Sequence, residues 1–145
     1  MNMSILVKEN IRFNGQAKTK EEAIREVGNV LVEQGYVGAT YVEKMLEREA
    51  LTSTFMGNML AIPHGTEEAK AAIMTSGLAV MVYANPIDWN GEAVRLVIGI
   101  AGAGGEHLEL LSQIAIVCAE EENVERILNA SSADEVLQTF AEGNE

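Results

Sequence analysis

The chain of 145 residues has one cysteine, Cys118, two prolines and two histidines. A lone cysteine excludes an internal disulfide and suits a reducing compartment. Basic side chains are scarce, 10 Lys and Arg against 22 Asp and Glu, giving a net charge of −12. That balance excludes non-specific nucleic-acid binding, which needs a basic face, and disfavours an anionic membrane surface. It suits solubility and a basic protein partner. No apolar run approaches the roughly 20 residues that span a bilayer, so direct membrane insertion is not expected. The opening Met1-Asn2-Met3-Ser4 lacks the basic and apolar regions of a signal peptide. The expectation is a cytoplasmic, soluble protein. Hydrophobic residues make up 48%, enough for one folded domain with a sizeable core.

Local signals divide the chain into elements. Thr19-Lys20-Glu21-Glu22, Thr40-Tyr41-Val42-Glu43 and Ser132-Ala133-Asp134-Glu135 have the spacing of capping boxes and predict three helix starts. The first helix buries Ala23, Val27, Val30 and Leu31 and stops at Gly35. The second runs through Met45, Leu46 and Arg48 to Ala50. Further helices are expected from Glu106 through Val117 and from Val124 to Leu128. Leu6-Val7, Ile11 to Phe13, Met59 to Ile62, Ser76 to Tyr83 and Val94 to Ile100 read as strands. The last two flank Asn90-Gly91, a strong hairpin signal, so they should pair antiparallel. Pro63 and Pro86 are placed at strand ends. The class is α/β with a mixed sheet in a single domain.

The two histidines sit in distinctive settings, Ile62-Pro63-His64-Gly65-Thr66 and Gly104-Gly105-Glu106-His107. Neutral imidazole is a nitrogen nucleophile near neutral pH. Pro63 should end a strand and expose the next side chain. Gly65 leaves room for a bulky group on the imidazole. Thr66 could cap a short helix from Glu67, whose free N–H groups favour an anion. These features suit a histidine that carries a phosphoryl group. A bystander histidine in a turn fits the same short motif. His107 opens a helix after a glycine loop. Arg48, in Glu47-Arg48-Glu49, reads either as a solvated helix position or as a guanidinium clamp for phosphate oxygens.

The stretch from Glu49 to Gly65, with Met56-Gly57 and Leu60-Ala61-Ile62-Pro63-His64-Gly65, resembles the active-site signature of the mannitol/fructose class of phosphotransferase-system enzyme IIA proteins. Lys18 to Ile24, Gly35-Tyr36-Val37, Arg95 to Ala101 and Glu106-His107-Leu108 resemble the mannitol branch. The resemblance covers nearly the whole chain, residues 1–145, as one enzyme IIA type-2 domain. It implies a mixed parallel and antiparallel sheet of about five strands flanked by helices on both faces. It implies that His64 takes a phosphoryl group from HPr and passes it to a cysteine of a sugar-specific enzyme IIB. His107 and Arg48 match the family's supporting histidine and arginine, and Asn58, Gly65 and Thr66 are further supporting candidates. Asn58 stands where relatives often have glutamate, so a carboxylate role is open there. No cofactor or metal is implied.

Three other readings compete. Enzyme IIA-like domains also serve as regulatory modules, although this sequence shows no DNA-binding segment. His64, Glu67 and His107 could ligate a metal, without the paired spacing of strong zinc sites. Cys118 could be a nucleophile, but Ile114 to Ala119 reads as helix core. The seven methionines read as core filler or surface. Glu47, Glu49, Glu67, Glu68 and Glu106 are expected to form an acidic rim that draws in a basic partner.

Overall fold

Asn90 and Gly91 close the longest strand pairing in the structure, a computed structural model that describes residues 5–143. Both residues have positive φ, 55° and 94°, the backbone a two-residue hairpin turn requires. The turn joins β4 (Gly77–Trp89) to β5 (Glu92–Ala101) in antiparallel register, from Trp89 opposite Glu92 to Gly77 opposite Ala101. β1 (Ile11–Arg12) lies parallel to β4 on one side. β3 (Leu60–Ala61) lies parallel to β5 on the other, and β2 (Phe55–Gly57) pairs antiparallel with β3. The sheet order is β1-β4-β5-β3-β2, the mixed five-stranded sheet that was expected.

The unbroken apolar runs of β4 and β5 follow from burial on both faces. Leu78, Val80, Leu96 and Ile98 pack against α3 (Glu106–Cys118), α4 (Glu121–Leu128) and α5 (Ala133–Gly143). Ala79, Met81, Tyr83 and Val97 pack against α1 (Lys20–Glu33) and α2 (Thr40–Leu51). Each fully buried aliphatic side chain contributes about 1.5–3 kcal/mol, so the central hairpin anchors both layers.

Two of the three capping boxes form. Thr19 Oγ1 accepts from the Glu22 N–H at 3.2 Å, and Ser132 Oγ accepts from the Glu135 N–H at 3.3 Å. In both, the glutamate reaches one residue further back than the standard box, to the N–H of Lys18 and of Ser131. The Thr40 box does not form. The Tyr41 N–H bonds the Gly38 carbonyl, Ala39 is already helical in backbone, and Thr40 lies inside the helix.

Other differences have local causes. Leu6-Val7 is not a strand, because the Asn10 N–H closes a 3-10 turn onto the Val7 carbonyl. β4 runs past Tyr83 to Trp89, so Pro86 lies within a strand rather than at its end. It is tolerated because the register with β5 breaks between Val82 and Ile87, freeing the exposed Ala84-Asn85-Pro86 from the ladder. β2 is an edge strand of three residues that periodicity did not reveal. Among the described residues no helix is long and apolar enough to cross a membrane. Met1 to Ser4, considered above as a targeting segment, lie outside the described residues.

Candidate active site

β3 ends at Ala61, and the chain then follows β5 for three more residues. The Ile100 N–H bonds the Pro63 carbonyl at 2.9 Å, and His64 forms a parallel bridge with Ile100. This continuation sets His64 into the wall of a cleft of about 830 Å³. His64 is 7% exposed, so it is not the exposed side chain that Pro63 was expected to create. Pro63 does not turn the chain away from the sheet, because its carbonyl still serves the ladder.

The imidazole is oriented from within its own segment. His64 Nδ1 lies 2.9 Å from the Ile62 carbonyl oxygen. A carbonyl only accepts, so Nδ1 carries the proton and Nε2 keeps its lone pair. The His107 ring is tilted by 60° with its centroid 4.9 Å from that of His64. His107 is half-buried in the first turn of α3, where the glycine loop was expected to deliver it. Gly102 is required there, since a Cβ would come within 2.5 Å of the His107 Cα. The loop is pinned by Ser76 Oγ, which accepts from the Ala103 N–H at 2.8 Å and donates to Glu106 at 2.5 Å. Arg48 lines the same cleft from the last turn of α2, half-buried, with Nη1 donating to the Thr52 carbonyl at 2.7 Å.

Three candidate residues have surroundings the sequence did not show. Gly65 is small because of Tyr41: a Cβ at position 65 would lie 2.6 Å from Tyr41 Cε1. Thr66 does not cap the 3-10 turn Glu67–Ala72, and its Oγ1 is buried without a partner among the described residues. Asn58 is not part of the cleft lining. Its Nδ2 donates to the Cys118 and Ala119 carbonyls at 2.9 and 3.4 Å, closing the C-terminal end of α3. It also adopts φ 50° between Gly57 and Met59, both with positive φ. Asparagine tolerates that backbone better than glutamate, which gives the residue a structural reason to be there.

Sequence reasoning missed the role of Glu49. It is 4% exposed and takes no part in an acidic rim. Its carboxylate accepts from the Thr54 N–H at 3.1 Å, the Thr54 hydroxyl at 2.5 Å and Trp89 Nε1 at 3.0 Å. The Thr54 carbonyl accepts from the Ile62 N–H at 3.0 Å, and Ile62 holds His64. A hydrogen-bonded chain thus links Glu49 to the imidazole. In the sequence Glu49 stood out only as the first residue of the signature stretch, beside Arg48. Of the other acids, Glu47, Glu67 and Glu68 are exposed on the cleft, and Glu106 is held by Ser76.

Burial pushes the pKa of His64 below the usual imidazole value of 6.5. The Ile62 carbonyl opposes this, Arg48 lowers it further, and Glu49 pulls it back. His107 is also pushed down, first by burial, then by His64, Lys70 and Arg48, with Glu67 opposing. Both rings are therefore neutral at pH 7. The unfolded chain takes up these protons near pH 6.5 and the folded chain only below it. Stability is thus fully present above pH 6.5 and declines as pH falls below it. NMR titration should place both midpoints under 6.5, and a midpoint at or above 6.5 for His64 contradicts the desolvated site.

The alternative chemistries fare poorly. Cys118 is buried, and its thiol is pushed up to about 12 by desolvation. A thiol held protonated is a poor nucleophile. No group of three or more His, Cys, Asp or Glu side chains is arranged to hold a metal among the described residues.

The family described as phosphoenolpyruvate-dependent sugar phosphotransferase system, EIIA 2, matches residues 4–143. The mannitol-specific phosphotransferase enzyme IIA component of Halalkalibacterium halodurans is 57% identical over 145 residues, covering 100% of both chains. The protein of the same name from Geobacillus stearothermophilus is 51% identical, covering 99% of this chain and 100% of that one. Among solved structures, a chain of the complex of enzyme IIAMTL and phosphorylated enzyme IIBMTL from Escherichia coli superposes with a TM-score of 0.87. It is 40% identical and the match covers 94% of this chain and 96% of that one. With the histidine of the signature seated beside a second histidine and an arginine in one cleft, this chain belongs to the EIIA 2 family of the phosphoenolpyruvate-dependent sugar phosphotransferase system.

Proposed function

We propose that this protein is a cytoplasmic phosphocarrier of the mannitol branch, with residues 1–145 acting as one enzyme IIA type-2 domain. His64 takes a phosphoryl group from the phosphohistidine of HPr and passes it to a cysteine of enzyme IIB. The observation that carries this reading is the Nδ1 contact with the Ile62 carbonyl, which leaves Nε2 as the lone-pair nitrogen in the cleft. As the Nε2–P bond forms, the donor N–P bond breaks and its electron pair stays on the HPr imidazole. In the second transfer the Nε2–P bond breaks, its pair returns to Nε2, and an S–P bond forms on the thiolate of enzyme IIB. Nδ1 keeps its proton throughout.

Phosphoryl transfer depends mainly on positioning and on stabilising charge over the three oxygens. In this reading Arg48 and His107 do this from the walls of the same cleft, and the Thr66 hydroxyl, unpartnered among the described residues, gains an acceptor when a phosphoryl oxygen arrives. Asn58 has no role in this reading beyond the helix end it closes. The exposed acids Glu47, Glu67 and Glu68 suit a basic face on the donor. The two mannitol-specific relatives support the choice of branch. The phosphoryl group arrives already activated, so the reaction calls for no nucleotide or metal.

The test is incubation with phosphoenolpyruvate, enzyme I and HPr. One acid-labile phosphate should appear, with ³¹P–¹⁵N coupling to His64 Nε2. Label on Nδ1, or on no histidine, overturns the assignment. In the same assay Arg48→Lys keeps the charge but loses the guanidinium fork, and transfer should slow about 10-fold. His107→Ala should slow transfer while His64 still accepts label. Native rates in both variants would remove Arg48 and His107 from the site.

A further inference from the structure

Tyr41 lies behind Gly65, outside the cleft lining, and its hydroxyl serves two elements at once. It is 2% exposed. Its oxygen accepts from the Gly65 N–H at 2.9 Å and donates its hydrogen to the Ile100 carbonyl at 2.7 Å. In a parallel ladder, the residue opposite a bridge receives one bond from before its partner and returns one after it. Here the first rung is direct, from the Ile100 N–H to the Pro63 carbonyl. At the second rung the Tyr41 hydroxyl stands between Gly65 and Ile100. His64 lies between these two rungs, so both peptide units that flank it are fixed.

We infer that Tyr41 is a positioning residue for the phosphoacceptor, its hydroxyl completing the backbone clamp that holds the His64 ring in line for transfer. The inference rests on the reading of His64 as the phosphoacceptor. Three observations converge on it. The Gly65 amide, in the peptide unit that follows His64, is held by the Tyr41 hydroxyl. Position 65 excludes a Cβ because the Tyr41 ring and Ala69 fill that space, at 2.6 and 2.9 Å. Tyr41 and Arg48 are two turns apart on one face of α2, so a single rigid helix sets both the backbone of the nucleophile and the guanidinium across the cleft.

The experiment is steady-state transfer from phospho-HPr to Tyr41→Phe, which removes one oxygen and keeps the ring. A misplacement of reacting groups by about 1 Å can cost about 100-fold in rate. The expected result is a kcat at least 10-fold below native, per folded molecule, with KM for phospho-HPr changed less than about twofold. Long-range ¹H–¹⁵N spectra of the folded variant should show His64 as a mixture of tautomers instead of the single Nδ1–H form. Gly65→Ala, which drives the Tyr41 ring aside while keeping its hydroxyl, should lower kcat in the same way. Tyr36→Phe is the control. Its hydroxyl also takes a hydrogen bond away from solvent, from Asn10 Nδ2 at 2.8 Å, but not from either peptide that flanks His64, and its loss should leave kcat unchanged. A native kcat in folded Tyr41→Phe overturns the inference. So does a fall in kcat that Tyr36→Phe reproduces, because that is a general stability effect. Absence of label on His64 in the native protein would instead sink the reading beneath it, and the two failures are distinct.

Discussion

Substitution of His64 by alanine is expected to take phosphoryl acceptance from a full equivalent per chain to none. In the proposed function the nucleophile is the lone pair on Nε2, and no neighbouring group would replace it. His107 is close, but it is carried by another element and, among the described residues, has no carbonyl contact fixing its tautomer. The substitution has a structural cost that an exposed turn residue would not have. At 7% exposure the imidazole fills part of the cleft wall, and its loss leaves the Ile62 carbonyl without its donor. The net value of such a hydrogen bond is about 0.5–1.5 kcal/mol, so the variant should remain folded with a lowered melting temperature. Labelling followed beside far-ultraviolet circular dichroism separates the two effects. A folded His64→Ala protein that still takes label at the native rate would remove His64 from the pathway.

The parts of the fold that were legible in the sequence are those decided within a few residues. Asn90-Gly91 specifies its hairpin because both positions need positive φ and these residue types accept it. Thr19 and Ser132 specify helix starts because a side-chain oxygen reaches an N–H three residues on. Thr40 carries the same pattern and fails, because the Gly38 carbonyl, held by its loop, is in place to start the helix earlier. The candidate phosphoacceptor stands out in the sequence because the signature is contiguous around His64. Its environment does not. The burial of His64, the hydroxyl of Tyr41 from 23 residues upstream and the indole of Trp89 from β4 come from pairings set by the whole sheet. Gly65 shows the limit well. Its small size was legible, but the neighbour that demands it, Tyr41, was visible only once α2 was placed beside the strand end.

Truncation of Glu49 should cost a large share of the stability. Three donors converge on one carboxylate that is 4% exposed. Glu49→Ala strips the acceptor from the Thr54 N–H, the Thr54 hydroxyl and Trp89 Nε1 together. Each buried donor left unmade costs about 1–3 kcal/mol, although the hydroxyl can rotate to another acceptor. The expected loss is about 3–5 kcal/mol, a large share of the stability of a domain this size. Glu49→Gln keeps one acceptor oxygen but sets an NH₂ group against a donor, so about 1–3 kcal/mol should be lost. Urea denaturation measures both, and Trp89, the only tryptophan and fully buried, reports locally through its emission. The functional consequence follows the hydrogen-bonded chain from Glu49 through Thr54 and Ile62 to His64. When Thr54 loses its anchor, Ile62 loses the rung that fixes its peptide, and the His64 ring loses the carbonyl that selects its tautomer. Glu49→Gln should therefore slow phosphoryl transfer under conditions where it is fully folded. A Glu49→Ala protein within about 1 kcal/mol of native would show that water or a nearby hydroxyl can satisfy these donors, and that the carboxylate does not hold the site together.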